Sequence, residues 1–230
     1  MAVDTNIIYD QYADPYDRIL LNWSCYRELR DCHLQYVKDA NKVLDHGAGT
    51  GNQTIELLKA GKEVVAIDVN ESMLDVLREK CRPFSQRLTV HTMDAHNLAL
   101  GDKEFDAVTS MNVIYNLQNP IKAMEEAFRV LKNGGVFLLS GPNPSADHSK
   151  IDEVMDKALI PELKEKFLYE GLKEEVEQVR EVNKKLMDLP TRYSADEVSS
   201  LLVSEIGFEK VIYASDTFYR NAGHFVAVRK

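Results

Sequence analysis

Apolar positions along the chain recur in two rhythms. Residues 17–37 (DRILLNWSCYRELRDCHLQYV) carry Ile19, Leu20, Trp23, Tyr26 and Leu29 at helical spacing, which predicts an amphipathic helix. Beyond it, short β-branched runs alternate with helical stretches. The strand candidates are 42–46, 63–69, 88–95, 105–113 and 134–141, with helices over 52–60, 71–81 and 120–132. This alternation predicts an α/β fold: a doubly wound, mostly parallel sheet with helices on both faces. At the end of the chain the alternation stops. Runs 207–219 and 223–230 are separated only by a short turn around Asn221-Ala222-Gly223. That spacing permits a hairpin and nothing longer, so the last two strands should be antiparallel.

Residues 143–190 do not fit the sheet. Ile151, Val154, Met155, Ala158 and Leu159 form one helical stripe, and Leu168, Leu172, Val176, Val179 and Leu186 form another. Two helices follow, with Pro161 opening the second or separating them. The next helix starts at a capping box, Ser194 to Glu197. An insertion after the fifth strand emerges at the C-terminal edge of the sheet, where open α/β folds bind ligands. It reads either as a lid over a substrate or as surface decoration. The expected organisation is one domain, 1–230, with an N-terminal helical segment at 1–40 and the helical insertion at 143–190.

Composition narrows the partners. The 230 residues are 44% hydrophobic, ordinary for a globular chain, and no apolar run approaches a membrane span. The opening MAVDTNIIYDQYADPYD is acidic and interrupted by Pro15, unlike a signal or transit peptide. Cys25, Cys32 and Cys81 are too scattered for a disulfide framework or a zinc site, which points to a reducing, cytoplasmic setting. The net charge of −9 and the lack of any basic run longer than Lys184-Lys185 argue against a nucleic-acid partner. No His/Cys/Asp cluster has metal-ligand spacing, so no metal is expected. The oligomeric state is not legible.

The segment VLDHGAGTGNQT (43–54) carries the chemistry. A strand ends at Asp45, glycines follow at Gly47, Gly49 and Gly51, and a helix begins. Such a turn lets a ligand approach the main chain closely. The spacing is G-x-G-x-G, with Asn52 where a dinucleotide-binding turn has its third glycine. Asp45 would repel a pyrophosphate but suits a ligand with an ammonium group. Together with Asp68 closing the second strand and Asp94 closing the third, this set resembles the class I, seven-stranded S-adenosylmethionine (SAM)-dependent methyltransferases. The likeness extends over roughly 40–142 and 190–230.

The resemblance implies SAM as cofactor and S-adenosylhomocysteine as product. It implies that Asp68 takes the ribose hydroxyls and that Asp94, with the Ala95 backbone, meets the adenine. Val69 and Met73 would flank the adenine ring. Asp45 and Gly47 would serve the methionine end, with Tyr16 closing over it, and Met111 would lie at the end of the fourth strand. Asn70 is the better helix cap, which leaves Asp68 for the ribose. Tyr115-Asn116 stand where related small-molecule enzymes carry paired histidines, so Tyr115 is the one catalytic candidate. Tyr9, Tyr12, His148, Tyr193, Tyr219, Arg220 and His224 are further polar groups for an acceptor pocket. The reading is methyl transfer to nitrogen or oxygen of a small molecule. Its alternatives are a tRNA or protein methyltransferase, or a SAM-binding protein without methyl transfer.

Overall fold

The computed structural model describes residues 13–187 and 191–230. Two helices, α1 (Ala13–Leu20) and α2 (Ser24–Tyr36), lead into a seven-stranded sheet. Its strands are β1 (Lys42–His46), β2 (Glu63–Asp68), β3 (Leu88–Thr92), β4 (Phe105–Met111), β5 (Leu131–Pro142), β6 (Lys210–Thr217) and β7 (Gly223–Arg229). Their spatial order is β3-β2-β1-β4-β5-β7-β6. The first five are parallel, and β7 runs antiparallel to β5 and also to β6, the latter as the short C-terminal turn requires.

The helices between strands are α3 (Asn52–Lys59), α4 (Glu71–Cys81) and α5 (Pro120–Val130). The strand period of two sends alternate residues into two cores. Leu44, Ile67, Val108, Leu139 and Val226 pack under α5 and α9 (Ala195–Leu201). Val43, Ala66, Ala107, Leu138 and Phe225 pack under α2, α3 and α4. The turn expected at Lys132-Asn133-Gly134-Gly135 is an outward excursion inside β5. Phe105 pairs with Leu131, but Ala107 pairs with Val136, so the extra residues loop out with Gly134 at φ +77°.

The insertion forms a third core of its own. It comprises α6 (His148–Val154), a π-turn (Met155–Leu159), α7 (Ile160–Glu165) and α8 (Tyr169–Met187). Pro161 does not separate two helices. It sits in the first turn of α7, within one continuous helical run from His148 to Glu165. The wider π-turn just before it accommodates a ring that cannot donate to the helix ladder. The chain reverses instead at Phe167, with φ +57°. Val154, Met155, Leu159, Leu172, Val176 and Val179 then pack on Ile19, Leu20, Trp23 and Tyr26 of the N-terminal segment. Arg18–Glu175 (2.9 Å) and the Ser24 N–H to Glu162 bond (2.8 Å) tie the same elements together. The insertion and the N-terminal helices are therefore one cap.

The turn between β6 and β7 is strained. Tyr219, Arg220 and Asn221 all take left-handed φ values (48°, 55° and 67°) in a short helical turn, α10 (Phe218–Asn221). Each costs roughly 1–2 kcal/mol for a residue with a Cβ. The Tyr219 ring packs 5.3 Å from Trp23, and the Asn221 carbonyl accepts from Asn143 Nδ2 (3.1 Å) and Ser145 Oγ (3.0 Å). These contacts join the turn to the cap and offset the strain.

Candidate cofactor and acceptor site

A cavity of about 390 Å³ opens at the C-terminal ends of β1, β2 and β4. Its floor is the glycine turn. Gly47 and Ala48 donate to the Ile67 carbonyl (2.9 and 2.8 Å), which fastens the turn to β2. The three glycines have different tasks. A Cβ on Gly47 would come within 2.5 Å of Val113, and one on Gly51 within 2.6 Å of Leu77, so these two serve packing. A Cβ on Gly49, at φ +52°, would meet nothing within 4 Å. Gly49 is thus where a ligand can reach the main chain, while Gly51 is not on the cavity wall.

Asp68 stands at the end of β2 with its carboxylate fixed at both oxygens. Oδ2 accepts from Gly49 N–H and Oδ1 from Asn70 N–H, each at 2.9 Å. Asn70 caps α4 by accepting from Met73 N–H (2.9 Å), which releases Asp68 from that duty. Burial raises the Asp68 pKa, and the backbone donors oppose the rise. Each oxygen retains acceptor capacity toward the cavity, a fit for a vicinal diol.

Asp94 is locked differently. Its Oδ1 accepts from His96 N–H (2.9 Å) and lies 2.6 Å from His96 Nδ1. These bonds, the backbone one foremost, hold its pKa below the ordinary value. The far ring nitrogen, Nε2, accepts from Asn119 N–H (3.3 Å), so the ring proton sits on Nδ1 and faces Asp94. Half-exposed Val69, buried Met73 and Ala95, and partly buried Met93 are apolar groups of the same wall.

Asp45, near the end of β1, also lines the cavity and is 1% exposed. Thr54 Oγ1 donates to its Oδ2 (2.5 Å). Burial outweighs that bond, and the nearby Asp68 charge adds to it, pushing the Asp45 pKa up to about 7. A cation beside it would restore its charge.

The N-terminal helices complete this end. Tyr16 of α1 and Tyr26 of α2 reach the wall. Asp17 is buried and accepts from Thr50 Oγ1 (2.5 Å) and Asn52 Nδ2 (2.8 Å), with Lys80 on its second oxygen. Lys80 also donates to Asn52 Oδ1 (2.7 Å). This network clamps α1 onto the glycine turn.

The remaining wall follows β4. Met111 borders the cavity together with Asn112, Asn116 and Gln118. Asn112 has φ +59° and donates from Nδ2 to the Tyr219 hydroxyl (3.3 Å). Tyr115 does not line the cavity. It is 9% exposed and packed in the cap core, and its neighbour Asn116 borders the cavity instead. His148, Tyr193, Tyr219, Arg220 and His224 also lie off the wall. Tyr9 and Tyr12 lie outside the described residues.

The structure therefore brings Tyr16, Asp45, Gly47, Gly49, Asp68, Val69, Met73, Asp94, Ala95 and Met111 to one cavity. Tyr26, Gln53, Met93, His96 and Asn112 border it too, outside the set that the resemblance implies. Gln53 had a readable signal, because it lies two residues past the last glycine, on the first turn of a helix. Three carboxylates, an approachable glycine and no lysine or arginine line the described wall. That donor set suits a ligand with a diol, an amino group and an aromatic base, and is a poor match for a phosphate. Among the described residues no group of His, Cys, Asp and Glu could hold a metal, and no helix is long and apolar enough to cross a membrane.

Comparison with known proteins agrees with this chemistry. A family model described as a methyltransferase domain matches residues 44–139. The ubiquinone/menaquinone biosynthesis C-methyltransferase UbiE of Pasteurella multocida is 30% identical over 219 residues, covering 90% of this chain and 78% of that protein. The demethylmenaquinone methyltransferase of Tropheryma whipplei (strain Twist) is 33% identical over 132 residues. There the match spans 56% of this chain and only 54% of the relative. Among solved structures, the 1,6-didemethyltoxoflavin-N1-methyltransferase of Burkholderia thailandensis superposes with a TM-score of 0.69. It shares 15% identity, with 100% of this chain and 90% of that one covered, and so attests the fold.

Proposed function

The chain belongs to the class I SAM-dependent methyltransferases, and from that premise we propose that it methylates a small, uncharged, electron-rich molecule held against the Met111–Gln118 wall. The observation that carries this reading is the division of the cavity. The ends of β1 to β3 and the glycine turn supply its carboxylates, Asp45, Asp68 and Asp94, and the segment after β4 supplies only uncharged groups, the amides Asn112, Asn116 and Gln118 among them. Neutral amides suit carbonyl and hydroxyl groups of an uncharged acceptor. The absence of lysine and arginine from the described wall disfavours a nucleic-acid acceptor.

The cofactor brings an activated methyl group on a sulfonium. Asp68 holds the ribose, Asp94 and Ala95 hold the adenine, and Asp45 holds the ammonium of the methionine end. Tyr16 and the clamp at Asp17 close that end against water. Alignment of this kind can lower a barrier by up to ~7–11 kcal/mol. His96 is committed at both ring nitrogens. No proton transfer is routed through it.

Carbon is the favoured methyl acceptor, because the UbiE relative is named for C-methylation. Nitrogen or oxygen, the expectation from the residues, is the second reading. The lack of an uncommitted histidine on the described wall favours it, since an amine needs no general base. We also propose the reducing cytoplasm as the setting, consistent with three free thiols.

The test is incubation with SAM and a panel of quinols, phenols and heteroaromatic amines, with tRNA and protein as competing acceptors. We expect a small molecule to gain one methyl in step with S-adenosylhomocysteine, with NMR locating the new methyl on carbon. Asp68→Ala should lose cofactor affinity by about 1.5–3 kcal/mol, the worth of charge-assisted hydrogen bonds. Methyl appearing only on tRNA or protein would overturn the small-molecule reading.

A further inference from the structure

Every polar side chain on the first turn of α3 is committed except one. Asn52 is bonded at both amide atoms, to Asp17 and to Lys80. Thr54 donates to Asp45. Gln53, between them, is 4% exposed, and neither its Oε1 nor its Nε2 has a hydrogen-bond partner. It borders the cavity. A buried carboxamide bonded at neither end is rare in folded proteins, because both its dipolar groups are desolvated without return. Such a group needs a reason to persist, and here it is on the wall of a ligand site.

Its surroundings say which part of a ligand it suits. Asp45, bonded to the next residue along α3, is an anion in waiting that matches an ammonium. An amino-acid end also carries a carboxylate, and Asp45 can only repel that. No lysine or arginine lines the described wall to receive it. The start of α3 offers helix N–H groups and the positive end of the helix dipole. The Gln53 amide adds the one uncommitted side-chain donor on that turn. Its oxygen can in the same pose accept from the ammonium, alongside Asp45.

We propose that Gln53 recognises the zwitterionic amino-acid end of the cofactor, with Nε2–H donating to the α-carboxylate and Oε1 accepting from the α-ammonium. Gln53 is then a binding residue for the end of the cofactor farthest from the adenine. This rests on the chain's being a SAM-binding methyltransferase, and the test separates the two.

Calorimetry compares S-adenosylhomocysteine with 5′-methylthioadenosine, which has the same adenosine and sulfur but no amino acid. The wild type should bind S-adenosylhomocysteine more tightly. Gln53→Leu should weaken S-adenosylhomocysteine at least about tenfold, as loss of hydrogen bonds to charged groups does, and change methylthioadenosine less than about twofold. Gln53→Glu, nearly the same shape, should lose at least as much through repulsion of the carboxylate. It also gives the answer if leucine is not tolerated. The ligand-free Gln53→Leu protein should melt no lower than the parent, because an unbonded amide has been removed. Unchanged S-adenosylhomocysteine affinity in both variants overturns the proposal, and so does equal weakening of both ligands. Failure of the wild type to bind either ligand would instead overturn the cofactor reading beneath it.

Discussion

Asp45 shows how much a single buried carboxyl can decide. Its folded pKa stands near 7, far above an ordinary aspartate, because burial outweighs the Thr54 bond. Between about pH 4 and pH 7 the folded protein therefore holds a proton that the unfolded chain does not. Stability contributed by that proton is lost as pH rises through the window. Ligand binding runs the other way, since an ammonium pairs only with the ionised form. S-adenosylhomocysteine affinity should fall about tenfold from pH 8 to pH 6, the fraction ionised at one unit below the pKa. Asp45→Asn should bind more weakly and show a flat profile. Calorimetry across that range decides it, and equal wild-type affinity at both pH values would remove Asp45 from the ammonium. The residue's place was legible because strand end, acid and glycines are consecutive in sequence. Its protonation was not, because burial depends on α2 and α3 folding over it.

The elements around the sheet were legible wherever period and turn chemistry were local. The helices 71–81 and the C-terminal hairpin follow directly from spacing and from Asn70 and Gly223. Three features were not. The left-handed run at Tyr219-Arg220 has no glycine to announce it, and is held by Trp23, Asn143 and Ser145 from distant segments. The π-turn at Met155–Leu159 arises from Pro161 inside a helix that continues. The partner of the insertion was hidden too, since an amphipathic stripe shows that a face is buried and not what buries it. That partner is the α1–α2 pair, and no described residue of 143–187 lines the cavity. If the insertion gates the site, it does so through α1, whose Tyr16 and Asp17 meet the cavity wall and the glycine turn. Hydrogen exchange should therefore show α1 and α6–α8 opening together, more readily than β1, β4 and β5, and gaining protection together with S-adenosylhomocysteine. Protection of α1 alone would show the cap to be two independent units.

At the scale of the whole molecule, three histidines are enclosed as neutral rings. His33 bridges Thr109 (2.7 Å) and Ser140 (3.0 Å) between α2 and the sheet, His46 meets Ser110 (3.3 Å), and His224 is 3% exposed in β7. Burial lowers their pKa values to about 3, about 4 and about 4. Here the folded values lie below the unfolded ones, so the unfolded chain takes up protons first. The stability is fully present above about pH 6.5 and drains away as pH falls toward 4. Each ring contributes a slope of roughly 1.4 kcal/mol per pH unit in that window, and Asp45 cancels about one of the three. The remainder, roughly 3 kcal/mol per unit, is large beside a total stability of about 5–15 kcal/mol. None of this was readable from the chain, where six histidines look alike and only the packing of α2, β1 and β7 separates enclosed rings from exposed ones. Urea unfolding at pH 7 and pH 5 should therefore give a much lower midpoint at pH 5. His33→Gln keeps a hydrogen-bonding side chain between Thr109 and Ser140 but removes one titrating site. Whatever it costs at pH 7, its midpoint should fall less steeply on acidification. Equal wild-type midpoints at the two pH values would mean that these rings are not held neutral, and that the sheet admits charge where its packing says it cannot.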